Sequence, residues 1–202
     1  KSAEVYAVPR SINVVLEDRI IDGDFLDWKY ADVRALDNCQ DQYRLEDGYD
    51  DCRDIVALYS REGVNNYYFR IDLYELGINS EQNYLDIYFA IDFVSGGQVW
   101  LPDFMECQTT TDNAWELCAA IYNGTNYKLF KSDWSEINNG ITSVKFNSSL
   151  DAVEFAISKF AMQSMGWSSG SPLKMQCFTV KDGTNDGLGE ISGKPDITDA
   201  VG

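Results

Sequence analysis

The chain has 202 residues, 45% hydrophobic and 13% aromatic, enough for one sizeable core, with no apolar run long enough to span a membrane. Its 16 basic residues stand against 33 acidic ones, a net charge of −17, which leaves no global basic face for nucleic acid or anionic lipid. No histidine is present, which removes Ser-His-Asp and Cys-His nucleophilic machinery and His-ligated zinc or haem.

Lys1 is not an initiator Met, so the chain reads as a processed or excised piece. Residues 1–12 read as an N-terminal arm and 13–202 as a single domain. Strands are predicted at Asn13–Glu17 and Ala31–Ala35. Asp54–Arg61 and Asn66–Leu73 follow, joined by a short hairpin turn at Glu62-Gly63-Val64-Asn65. Tyr67, Phe69, Ile71 and Leu73 alternate with Tyr68, Arg70 and Asp72, the period-two pattern of a half-buried strand. One helical turn is predicted at Tyr74–Ile78. Leu85, Ile87, Phe89, Ile91 and Phe93 repeat the alternation. Trp115–Tyr122 and Tyr127–Lys131 flank Asn123-Gly124, a strong hairpin signal. Ile141–Phe146, Val153–Ile157 and Leu173–Val180 complete about ten strands, with a short helix at Lys159–Met165. The glycine-rich tail after Val180 reads as loop. Strands without intervening long helices predict an all-β, antiparallel β-sandwich of the immunoglobulin-like kind.

The five cysteines contain no CxxC pair. Cys39 and Cys52 flank an acidic loop, and Cys107 and Cys118 a Thr-rich one. Each pair would close about a dozen residues, worth roughly 3 kcal/mol in the chain-entropy model, so bridges 39–52 and 107–118 are expected. Cys118 shares a strand face with Glu116 and could reach a surface loop. Cys177 shares a face with Leu173 and Met175 and reads as a buried small hydrophobe. Paired cysteines imply a secreted, extracellular or cell-surface setting.

The stretch Ile20-Ile21-Asp22-Gly23-Asp24-Phe25-Leu26-Asp27-Trp28 is followed by Asp54-Ile55-Val56-Ala57-Leu58 and Asn66-Tyr67-Tyr68-Phe69-Arg70-Ile71-Asp72. This progression resembles the DOMON-like β-sandwich group that includes family-9-type carbohydrate-binding modules. It also resembles modules appended to secreted α-amylase and glucodextranase-type glycoside hydrolases. The closing Pro195–Val201 is similar to the end of such modules, while 94–150 matches nothing in the pattern. The resemblance implies a non-catalytic, monomeric module of a larger polysaccharide-processing protein. It would bind a poly- or oligosaccharide, with calcium as a structural cofactor.

The aromatic residues give the sugar reading its candidates, because flat rings stack on the apolar faces of pyranoses. Trp28 and Trp115 read as core. Trp100, Trp134 and Trp167 sit in Gly/Ser/Asn-rich surroundings and are the expected platform, with Gly96 and Gly97 before Trp100 leaving room for a ligand. Tyr68 and Tyr88, on the polar faces of their strands, would extend the platform or form cross-strand pairs. Oxygen-only clusters at Asp22, Asp24 and Asp27, and at Asp182 and Asp186, are the expected calcium ligands. The second departs from the EF-hand pattern, with Thr184 at the third position and Gly193 at the twelfth. Carboxylate catalysis needs two acids across a cleft, and no pair stands out. Two other readings remain open here: a structural or adhesion domain without a sugar site, and a small β-sandwich hydrolase or lyase.

Overall fold

The computed structural model describes residues 16–42, 50–77, 85–102, 110–181 and 197–202. One five-stranded sheet runs β1 (Val33–Leu36), β2 (Ile55–Glu62), β3 (Asn66–Leu73), β10 (Ala152–Ser158), β9 (Ile141–Asn147). The other runs β12 (Ile197–Val201), β11 (Lys174–Lys181), β4 (Leu85–Asp92), β7 (Leu117–Ile121), β8 (Tyr127–Lys131). Every pairing is antiparallel. A two-stranded ribbon, β5 (Gln98–Trp100) with β6 (Thr110–Trp115), a short helix α1 (Lys159–Ser164) and two 3₁₀ turns, Tyr30–Asp32 and Asp50–Arg53, complete the described elements. The protein is therefore the all-β antiparallel sandwich that the alternation predicts.

The apolar faces of the two sheets meet in one core. Phe69 of β3 stacks on Phe155 of β10 with ring centroids 4.9 Å apart and tilts against Phe89 of β4 at 5.0 Å. Phe89 and Phe155 close the triangle edge-to-face at 5.3 Å. Such pairs add about 0.5–1.5 kcal/mol each beyond the area they bury. Ile55, Leu58, Ile71, Ile87, Ile91 and Ile157 surround them. Cys177 lies fully buried in this core, as strand parity predicts.

The outer faces are where alternation misleads. It predicts polar, wet surfaces, yet both are covered. On the first sheet Ala57, Tyr59, Tyr68 and Ala156 pack beneath Trp28. The Asp-Gly stretch holds this layer down by hydrogen bonds to the sheet. Glu154 accepts the Gly23 N–H at 2.8 Å and the Trp28 indole N–H at 2.7 Å. Arg70 donates to Glu154 at 2.9 Å and to the Gly23 carbonyl at 3.1 Å. Gly23 is required at its position: its φ is +79°, and a Cβ there would lie 2.4 Å from the Asn147 Cβ. On the second sheet Tyr88, Ala90, Cys118, Ala120, Tyr122 and Phe178 form a further buried cluster with Trp115 of the ribbon and Leu101 just after β5. Strands covered on both faces are buried almost continuously, as β4 is.

Several boundaries shift. The first described strand starts at Val33, after a 3₁₀ turn at Tyr30–Asp32. Leu16 and Glu17 are irregular, and the rest of the Asn13–Glu17 segment lies outside the described residues, as does the arm. Tyr74–Gly77 is not helical. The ribbon and β12 are not among the strands that alternation predicts, and β12 lies in the tail that reads as loop.

Candidate functional site

Ring exposure sorts the expected aromatic platform. Trp100 is 43% exposed at the end of β5. The Gln98 side chain accepts the N–H groups of Val99 and Trp100 at 2.9 and 3.1 Å, and Thr111 donates to the Val99 carbonyl, so the ribbon holds its backbone. Trp134 is 41% exposed in a tight turn after β8, at φ +64°. Asp133 accepts the Ser135 N–H there, and Ser132 N–H reaches the Glu116 carbonyl.

The other three candidates are not at the surface. Trp167 is 2% exposed, because Gly166 at φ +98° turns the chain inward and the Trp167 N–H returns to the Met162 carbonyl. Its ring meets Tyr67 edge-to-face at 5.8 Å, beneath the Lys159 ammonium. Tyr68 lies under the Asp-Gly stretch and donates its hydroxyl to Asp18 at 3.0 Å. Tyr88 is sealed beneath the ribbon. Tyr68 and Tyr88 share one cause, an outward face covered by the protein's own chain, whereas Trp167 folds into the inner core.

Strand β6 of the ribbon lines an open cleft of about 530 Å³. Asp92, Ser95, Gly96, Asp112, Asn113 and Lys174 supply its polar lining. Register places Asp92 of β4 opposite Lys174 of β11. The Lys174 ammonium donates to Asp92 at 3.1 Å and to the Asn113 side-chain carbonyl at 3.3 Å. Gln176 donates to Asp112 at 3.0 Å. Behind the cleft, Glu116 accepts the N–H groups of Phe93 and Val94 at 2.8 and 3.2 Å and so fixes the turn that forms the wall. Burial pushes the Glu116 carboxyl above its usual range despite those bonds. Of the two glycines, Gly96 faces open space. Gly97 instead permits close strand approach, since a Cβ there would lie 2.6 Å from the Trp115 carbonyl oxygen.

The acidic residues also rearrange. Asp22, Asp24 and Asp27 are spent on local backbone: Asp22 accepts from Asp24 N–H, Asp24 from Leu26 N–H, and Asp27 from Ile20 N–H. Their carboxylates are not gathered around a common point. Among the described residues the one gathered group of three or more acidic or thiol side chains is Asp37, Asp41 and Asp199. Asp182 and Asp186 lie outside the described residues.

Among the described residues no cysteine is joined to another. Cys39 sits on an exposed turn, whereas Cys52 is buried against Ile55 and its neighbours in the core, so the expected 39–52 bridge is not formed. Cys118 does not reach a surface loop but is buried beneath the ribbon. Cys107 lies outside the described residues. No described helix is long and apolar enough to cross a membrane. No family model matches the chain, and no curated protein matches it.

Proposed function

We propose that this chain is a non-catalytic carbohydrate-binding β-sandwich, with its site formed by the β5–β6 ribbon and the adjoining cleft. The observation that carries the reading is the placement of Trp100. A large, exposed indole stands on a backbone held by side-chain hydrogen bonds, on the same ribbon whose other strand lines the cleft. An exposed ring gives a sugar's apolar face a surface to stack on, and the cleft along the ribbon's other strand offers polar groups. The polar lining suits the other half of the ligand: Lys174 holds Asp92 and Asn113, and Gln176 holds Asp112, which leaves acceptors and donors for hydroxyls. The cleft mixes both signs of charge, which supports a neutral glycan over a charged one.

Affinity gel electrophoresis against a panel of neutral glucans and other soluble polysaccharides tests this reading. The expected result is retardation by at least one neutral glycan, with no release of reducing ends on long incubation. Migration unaffected by the whole panel would overturn it in favour of a structural or adhesion domain.

A further inference from the structure

We infer that Asp37, Asp41 and Asp199 form the core of a cation site that takes calcium and ties the two sheets together along one edge. Asp37 and Asp41 follow β1 at the edge of one sheet, and Asp199 lies on β12 at the matching edge of the other. One oxygen from each lies within 4.8 Å of the others. Oxygens that share a calcium ion at about 2.4 Å stand at most about 4.8 Å apart, so the spacing is already that of a coordination shell.

Carboxylate crowding alone does not make a site; a buried carboxylate oxygen beside the group points to a ligand. Asp54 is fully buried, and its Oδ1 has no hydrogen-bond partner among the described residues. Its Oδ2 accepts the Gln40 N–H, from the same loop as Asp37 and Asp41. Gln42, next to Asp41 in the chain, is 5% exposed, donates its side-chain N–H to Asp51 at 3.1 Å, and leaves its Oε1 without a partner among the described residues. A buried carboxylate oxygen left unpaired beside further carboxylates is destabilising in a low-dielectric setting, and a cation removes that penalty. Burial, followed by the charges of Asp41, Asp51 and Asp37, raises the Asp54 carboxyl against the Gln40 bond. Asp199 is pushed up to about 6 by burial, with Asp37 and Asp41 adding to it and bonds from Ile55 and Ala200 opposing.

All the donors are oxygens, which selects a hard cation, and an irregular loop with one strand suits the flexible coordination of calcium better than the strict octahedron of magnesium. That favours calcium over magnesium. The ion would reinforce an existing link, because Asp199 Oδ2 already accepts the Ile55 N–H at 2.7 Å and so bonds β12 to β2.

The test uses the chain freed of metal with EDTA and desalted, titrated with Ca²⁺ and separately with Mg²⁺ by calorimetry and thermal melting. Wild type is expected to bind one Ca²⁺ and to melt about 5–10 °C higher at a hundredfold excess over Kd, with a smaller response to Mg²⁺. The double variant Asp37→Asn/Asp41→Asn alters exposed or half-exposed side chains. It should lose at least tenfold in Ca²⁺ affinity, and in EDTA it should melt no lower than wild type because carboxylate repulsion is relieved. The triple variant Asp22→Asn/Asp24→Asn/Asp27→Asn should bind Ca²⁺ as wild type does. No heat and no melting shift in wild type would overturn the inference. So would full Ca²⁺ affinity in the double variant, or its loss in the triple variant alone.

Discussion

Glu154 Oε1 accepts the indole N–H of Trp28 at 2.7 Å, although the two residues are 126 positions apart in the chain. The same carboxylate takes the Gly23 N–H and the Arg70 guanidinium, so one buried acid anchors the Asp-Gly stretch to the outer face of a sheet. The motif that marks the sequence is thereby a structural clamp. Replacing Glu154 with Ala leaves the Arg70 charge and the Trp28 donor without their shared partner, which should cost about 3–5 kcal/mol. Urea denaturation checks this; a loss under 1 kcal/mol would contradict the clamp.

A second clamp closes the opposite corner. Lys159, at the start of α1, donates to Glu62 at 2.6 Å and to the Gly63 carbonyl at 3.1 Å. Gly170 N–H and the Ser169 hydroxyl also reach Glu62. Burial pushes the Glu62 carboxyl up, but the bonds from Lys159, Ser169 and Gly170 outweigh it and hold the group below its usual 4.5. A folded-state value below the unfolded one stabilises above pH 4.5 and is lost as pH falls through the folded value. Glu62→Gln should cost about 1.5–3 kcal/mol at neutral pH, with the deficit shrinking in acid. Melting curves from pH 7 to pH 3 read this directly. A deficit constant with pH would mean that the charge of Glu62 contributes nothing.

Thiol labelling separates the cysteines. Cys39 is exposed and should react rapidly in the native protein, while Cys52, Cys118 and Cys177 should react only on unfolding. Burial, with Asp199 adding to it, pushes the Cys177 thiol well above its usual range, which slows it further. Protection of Cys39 that is released by reductant would instead show that it is bridged.

The tryptophans give a contrast within one residue type. Trp167→Ala removes a buried ring that meets Tyr67 and should cost about 3–5 kcal/mol. Trp134→Ala, at a half-exposed turn, should cost under about 1 kcal/mol. Equal losses by chemical denaturation would show that exposure does not rank these side chains.

The inner core was legible in the sequence because each strand states it locally. Phe69, Ile71, Phe89 and Ile91 fall on alternate positions, and Cys177 follows the same parity. The outer layers were not legible, since Tyr68 and Tyr88 alternate as surface residues and only distant segments cover them. The ribbon was missed because Thr110–Trp115 is polar and gains its strand form by pairing with Gln98–Trp100. Asp37 and Asp199 come from opposite parts of the chain, so no spacing rule could join them. The local cluster at Asp22, Asp24 and Asp27 attracted the metal assignment, yet closeness in sequence let each side chain satisfy its neighbour's backbone.

Calorimetry of wild type and Trp100→Ala with a neutral oligosaccharide, run beside thermal melts, tests the proposed binding surface most directly. Stacking on an exposed ring contributes to binding and little to folding. Trp100→Ala should therefore lose at least tenfold in affinity with a melting temperature within about 2 °C of wild type. Unchanged affinity in Trp100→Ala would contradict the account, and so would an absence of binding by wild type.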